Sequence, residues 1–189
     1  MADKKRTKKK AVKKAEKKSN EIDGGSDEHI TPPDVIVKIQ NRLNVLFDLD
    51  AAANSKNKRC RRFIDKKKNA LVVPWGTKQN PSTVWLNPPY SSGNVLKFAL
   101  KAIKEVEIGN CKMVAVLTNA DSTTKWHKLL EVGSSQIWRF RQRIKFEHPE
   151  PERMKSGAMR PQDLFVITPA GKGRSQKRYY FNLDTLVLD

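Results

Sequence analysis

The sequence predicts an α/β protein on a mostly parallel sheet, with antiparallel pairing toward the C-terminal end. Two observations carry that prediction. Short apolar runs alternate with segments of helical periodicity through the first two thirds of the chain, and strand candidates then crowd together near its end. Among them, residues 113–117, Met-Val-Ala-Val-Leu, are apolar throughout, the pattern of a strand covered on both faces as in a parallel sheet.

Residues 1–30 stand apart from this pattern. A low-complexity Lys/Ala tract over 1–19 is followed by Gly24-Gly25-Ser26 and an acidic patch. Such a segment cannot bury enough apolar surface to offset its ordering entropy, so disorder is expected. A non-specific phosphate-binding arm and a solubilising or localising tail are equally consistent with it. The folded domain is expected over 31–189. It opens with Thr31-Pro32-Pro33-Asp34, read as a hydroxyl cap, proline at the first helical position and a carboxylate in the first turn. Val35, Ile36, Ile39 and Leu43 continue at helical spacing. Residues 46–50, Leu-Phe-Asp-Leu-Asp, predict a short strand ending in a carboxylate, turned by Ala51-Ala52-Ala53. Residues 54–70 are basic and predict a short helix mixed with loop, and 74–81 predict a loop. Val84-Trp85-Leu86 predicts a second strand, which runs into Asn87-Pro88-Pro89-Tyr90.

The clearest helix follows Ser91-Ser92-Gly93. Val95, Leu96, Ala99, Ala102, Ile103 and Val106 share one face, and Gly109 stops it. A capped helix is predicted from Thr124 to Glu131, closed by Gly133. Residues 137–140, 143–146, 163–168 and 179–183 are the remaining strand candidates, with a Pro-rich charged loop over 147–161.

Charge narrows the partner. The formal net charge is +18, from 38 basic and 20 acidic side chains. Residues 1–30 hold 10 and 6 of these, so the other 28 and 14 leave a net of +14 on the rest of the chain. A body this basic favours a polyanion, most commonly nucleic acid. No run approaches the roughly 18 apolar residues that cross a bilayer, and the charged N-terminus lacks the apolar core of a secretory signal. Cys60 and Cys111 have no metal-ligand spacing and read as buried free thiols. His29, His127 and His148 are scattered, so no metal site is expected.

The chemistry concentrates at Asn87-Pro88-Pro89-Tyr90. The lone pair of an exocyclic amine is conjugated with its ring, which makes the nitrogen a poor nucleophile. Two acceptors aimed at its two N–H groups draw it toward tetrahedral geometry and stabilise the developing positive charge. The side-chain oxygen of Asn87 and the carbonyl of Pro88 are such acceptors. Consecutive prolines hold the carbonyl direction stiff. Tyr90 offers a face on which an extruded base can stack. A plain turn is the competing reading, since Asn and Pro are ordinary turn formers. The loop's place at the end of an apolar strand, where open α/β sheets bind ligands, favours the chemical one.

The run resembles the Asn/Asp-Pro-Pro-Tyr/Phe motif of amino-methyltransferases, and the chain resembles the phage-type DNA N6-adenine methyltransferase (Dam) family over residues 31–168. Thr31-Pro32, the stretch Phe47-Asp48-Leu49-Asp50-Ala51-Ala52-Ala53, and Arg143-Ile144-Lys145-Phe146 carry the rest of the likeness. The resemblance implies a Rossmann-like methyltransferase fold, S-adenosylmethionine as methyl donor and adenine in double-stranded DNA as acceptor. It further implies a cytoplasmic protein of a bacterial host, encoded by a phage or mobile element. Asn87, Pro88, Pro89 and Tyr90 would form the catalytic loop, with Thr31, Asp50, Ala51 and Ala52 at the cofactor. The turn after the first strand holds no glycine, unlike that of many methyltransferases, and Asp50 can alternatively be a turn-capping carboxylate.

Lys66 and Lys67, with Lys68, and Arg139, Arg141 and Arg143 are candidates for gripping phosphates, although charge runs also form ordinary solvated faces. Residues 171–175 look like a basic turn rather than a phosphate-binding loop. Trp85, Trp126 and Trp138 are assigned to the core. RNA, cytosine N4 and protein glutamine are alternative acceptors, and a nucleic-acid-binding protein without catalysis is the alternative from another class.

Overall fold

The computed structural model describes residues 29–148, 160–169 and 177–187. The Lys-rich segment over 1–28, most of the loop expected at 147–161 and the basic turn at 171–175 lie outside the described residues. In chain order the elements are α1 Pro33–Leu43, β1 Leu49–Asp50, β2 Arg62–Phe63, β3 Ser82–Leu86, a 3-10 turn Ser91–Gly93, α2 Asn94–Glu107, β4 Cys111–Asn119, α3 Lys125–Gly133, β5 Gln136–Phe140, β6 Gln162–Ile167 and β7 Lys177–Phe181.

The strands form one seven-stranded sheet in the order β2-β1-β3-β4-β6-β5-β7. Pairing is parallel everywhere except along β6, which runs antiparallel to both β4 and β5. The antiparallel character expected near the C-terminus is therefore confined to β6, and β7 pairs parallel with β5. The carboxyl ends of six strands, and the start of β6, consequently share one edge of the sheet.

The two faces are covered differently. On one, Val84, Leu86, Val114, Val116, Phe165 and Ile167 pack with Phe98, Ala99, Ala102 and Val106 of α2 and Leu130 of α3. On the other, Trp85, Ala115, Leu117, Leu164, Val166 and Trp138 meet Val35, Ile36 and Ile39 of α1. Successive residues of β3, β4 and β6 enter alternate clusters, as the period-2 projection of strand side chains requires, and β3 and β6 are buried throughout because both faces are covered. Trp126 is half-buried against the first cluster. Cys60 and Cys111 are buried free thiols.

Several elements depart from their sequence expectations. Helix α1 begins at Pro33 with Pro32 as its N-cap, and no side chain caps it, so Thr31 is not the capping hydroxyl and Pro32 is not the first helical residue. Pro33 supplies the pre-set φ at that position instead. β1 is only Leu49–Asp50, because the Phe47 amide donates to the Gln40 side chain and Leu46 is exposed. Residues 54–70 contain no helix; two of them form β2, held beside β1 by the Ile64 amide donating to the Asp50 carbonyl at 2.9 Å. Residues 143–146 are not a strand. Ile144 donates to the Gln162 side chain and Glu147 bridges Ile30, so this segment straps the α1 face rather than joining the sheet. In α2 the buried face includes Phe98 and Glu105, whereas Leu96 and Ile103 are half-buried.

Glu105 is buried because it serves the loop before β3. It accepts hydrogen bonds from the Trp75 amide at 2.9 Å and the Asn110 side chain at 3.0 Å, and pairs with Lys101 at 2.7 Å. Fully buried Trp75 donates its ring N–H to the Ala70 carbonyl. Gly76 then passes so close to the start of β4 that a Cβ there would lie 2.2 Å from the Asn110 carbonyl oxygen and 2.9 Å from the Ser82 nitrogen. Gly76→Ala is accordingly expected to destabilise the fold by about 1–3 kcal/mol, the usual range for overpacking. Urea unfolding would show this as a lower midpoint with an unchanged slope.

Candidate active site at the carboxyl edge of the sheet

Strand order reverses between β1 and β3: from β1 the chain moves outward to β2, then returns to β1's other side as β3. At such a reversal the loops leaving the two carboxyl ends diverge and open a crevice, the usual ligand position in open α/β sheets. Asp50 ends β1, paired in register with Trp85, and Asn87 follows the last residue of β3. The connection 44–48 enters β1 at the opposite edge, whereas Ile30 is bonded to Glu147, beyond the end of β5. Helix α1 therefore starts at the carboxyl edge, bringing Thr31 to the same end of the sheet as Asp50 and Asn87.

Two polar atoms at this edge lack the partners that burial normally demands. The Asn87 side-chain oxygen and the Thr31 hydroxyl oxygen are buried without any hydrogen bond. An unmade bond at a buried polar atom costs about 1–3 kcal/mol, so two of them at one crevice are a mark of a binding surface. Pro88 is buried, Pro89 and Tyr90 are half-buried, and the backbone turns directly into Ser91–Gly93. Gly93 caps α2 with φ +69°, where glycine is favoured by its backbone angle and not by space, since no atom lies within 4 Å of a Cβ built there. Burial pushes the Tyr90 hydroxyl well above its ordinary pKa, opposed in part by a hydrogen bond with the Asn119 backbone at the end of β4.

Asp50 is almost wholly buried, with its carboxylate stapling the glycine-free turn. One oxygen accepts from the Ala52 amide at 3.3 Å and the other from the Arg59 amide at 2.9 Å. Burial pushes its pKa up to about 6, against the pull of those two hydrogen bonds and of the Arg59 charge. Turn capping is thus present in the structure, in a carboxylate that is still costly to keep charged. Ala51 packs into the core cluster beneath α2, and Ala52 is half-buried beside it.

The basic candidates separate into two kinds. Lys66 and Lys67 are exposed on a turn after β2, where the Asp65 carboxylate accepts from the Lys68 amide. Arg141 and Arg143 are exposed beyond the end of β5, with the Arg141 guanidinium 5.2 Å from the Tyr180 ring centre. All four residues leave the carboxyl edge. Arg139 instead grips fully buried Asp163 with two hydrogen bonds, at 2.9 and 2.8 Å, while His127 lies 3.0 Å from the same carboxylate. Burial would raise the Asp163 pKa, but the bonds from Arg139 and His127 hold it below the usual carboxylate range. Sequence reading missed Asp163 and Arg59. Nothing in the spacing signals the first, and the second stands in a basic run that looks like solvated surface.

The DNA N-6-adenine-methyltransferase (Dam) family matches residues 18–187 of the chain. The chain belongs to that family. A DNA N-6-adenine-methyltransferase of Haemophilus phage HP1 (strain HP1c1) is 32% identical over 167 residues, spanning 88% of this chain and 92% of the relative. Another so named, from Escherichia phage T1, is 36% identical over 121 residues, spanning 64% of this chain and 48% of its own length. No solved structure matches. The seven-stranded, mostly parallel sheet with three helices is consistent with a methyltransferase-like fold. The Dam match covers the whole carboxyl edge, including Thr31, Asp50 and the Asn87–Tyr90 loop. Among the described residues no His/Cys/Asp/Glu group could hold a metal ion, and no helix is long and apolar enough to cross a membrane.

The two kinds of arginine in this Dam chain should respond differently to truncation. Arg139→Ala strands the buried Asp163 charge and is expected to cost about 3 kcal/mol of stability. Arg141→Ala and Arg143→Ala, at exposed positions, should leave the unfolding free energy within about 0.5 kcal/mol of wild type. Urea denaturation of the three variants separates the two outcomes.

Proposed function

We propose that the chain transfers a methyl group from S-adenosylmethionine to N6 of an adenine extruded from double-stranded DNA, on a Rossmann-like methyltransferase fold. The observation that carries this reading is the buried, unpartnered side-chain oxygen of Asn87, presented beside two prolines at the β1/β3 crevice. An acceptor kept without an internal partner is available to an incoming N–H group. Family membership and the names of the phage relatives favour adenine in DNA over the other amine acceptors. The net charge of +18 suits a polyanionic substrate.

In this reading Asn87 accepts one N6–H bond and the Pro88 carbonyl the other, so the lone pair leaves conjugation as the methyl arrives. The stiff Pro88-Pro89 backbone keeps both acceptors in place during the reaction. Tyr90 stacks on the adenine, and its hydrogen bond with the Asn119 backbone holds the ring's direction. Thr31, Asp50 and Ala52 fit the cofactor: an unsatisfied buried hydroxyl, a buried carboxylate and a small side chain stand at one crevice. Bound there, S-adenosylmethionine supplies an electrophilic methyl group on a cationic sulfur. Asp50 would face the donor's ammonium, whose positive charge offsets the cost of burying the carboxylate. Lys66, Lys67, Arg141 and Arg143 would hold the duplex backbone. Soluble protein in a phage-infected bacterial cell is the corresponding setting.

Asn87→Ala is expected to lower turnover by at least about a hundredfold, the scale for removing one preorganised hydrogen-bonding group at a developing charge, with cofactor affinity held within a few-fold. Radiolabelled methyl transfer and calorimetry test the two halves, and near-normal turnover would refute the role. Expression in a host lacking adenine methylation, followed by single-molecule sequencing, should reveal modified adenines in a defined motif. Unmodified DNA from soluble, well-expressed protein would refute the activity.

A further inference from the structure

We infer that Arg59 binds the α-carboxylate of the methyl donor, forming with Asp50 a pair of opposite charges complementary to the donor's zwitterionic amino-acid end. The inference rests on the proposed function and extends it to a residue that no motif marks. The loop after β1 doubles back because the two Asp50 carboxylate oxygens accept from the amides of Ala52 and Arg59, at 3.3 and 2.9 Å. That staple brings residue 59 beside the carboxylate at the end of β1.

The Arg59 side chain does not use this proximity to form an ion pair. Its Nε is buried and makes no hydrogen bond. A desolvated guanidinium donor without an acceptor is costly, and a carboxylate is the acceptor that its planar fork fits best. A DNA phosphate is a poorer match, because the side chains suited to a duplex backbone are exposed, as Lys66, Lys67, Arg141 and Arg143 are. Arg59 is half-buried, with its Nε turned inward. The methyl donor carries an ammonium and a carboxylate on the same carbon, so adjacent Asp50 and Arg59 meet both charges in one place. The Asp50 staple uses the backbone N–H of residue 59, so changing this side chain leaves the loop's anchor intact.

Calorimetry on the full-length protein tests the assignment with three ligands: S-adenosylmethionine, S-adenosylhomocysteine and decarboxylated S-adenosylmethionine. Arg59→Met should weaken the first two by about tenfold to a hundredfold, the scale for a charge-assisted bond. The decarboxylated ligand should bind Arg59→Met and wild type within about twofold of each other. Arg59→Lys keeps the charge without the fork and should fall between; should Arg59→Met fail to fold by circular dichroism, the same comparison is read on Arg59→Lys. Equal losses for all three ligands, unchanged affinity for S-adenosylmethionine, or a defect confined to DNA binding would each overturn the assignment. If wild type binds none of the three, the methyl-transfer reading falls with it; if wild type binds and Arg59→Met binds as well, only the Arg59 assignment falls.

Discussion

Parallel pairing between β1 and β3, with β2 turned out on the far side of β1, is the constraint on which the rest of the molecule depends. Parallel neighbours must be joined by connections that cross the sheet, so their carboxyl ends open toward one edge. β1 is only two residues long, yet it is flanked on both sides by hydrogen-bonded partners, and the Ala51 amide extends the ladder to the Trp85 carbonyl. That short seam sets Asp50 beside the exit of β3. Helix α1, running back along the same face, delivers Thr31 to that end.

The distribution of satisfied and unsatisfied polar atoms separates structure from candidate function. Glu105 and Asp163 are buried carboxylates with full sets of partners, and each ties together elements distant in sequence: α2 with the loop before β3, and α3 with β5 and β6. Thr31, Arg59 and Asn87 have buried polar atoms with none. Those three flank the crevice, which is why they are proposed as ligand groups; the Nδ1 of His127, bare as well, belongs to a ring packed on Phe165 and Asp163.

Basic charge follows the same division. Arg139 and Arg141 are two residues apart on one strand and its exit, and look alike in a sequence rich in Lys and Arg. One neutralises a fully buried carboxylate and the other lies over an exposed tyrosine ring. Only the partner across the sheet distinguishes the arginine that neutralises a buried carboxylate from the one on the exposed surface.

Sequence by itself determined the α/β class, the boundaries of α2 at Gly109, the both-faces burial of β4 and the position of Asn87-Pro88-Pro89-Tyr90 at a strand's end. These rest on local signals, namely apolar periodicity, glycine at a left-handed position (Gly109, φ +82°) and proline stiffness, all of which act within a few residues. Tertiary structure alone decided that residues 62–63 pair as β2, that 143–146 strap α1 instead of joining the sheet, and that Thr31 is an unpaired buried hydroxyl rather than a helix cap. It also decided that Glu105 and Asp163 lie inside and that half-buried Arg59 turns its Nε inward. Each of those outcomes is set by what stands opposite a residue across the sheet or beneath a helix, and no local pattern encodes a partner supplied by a distant part of the chain.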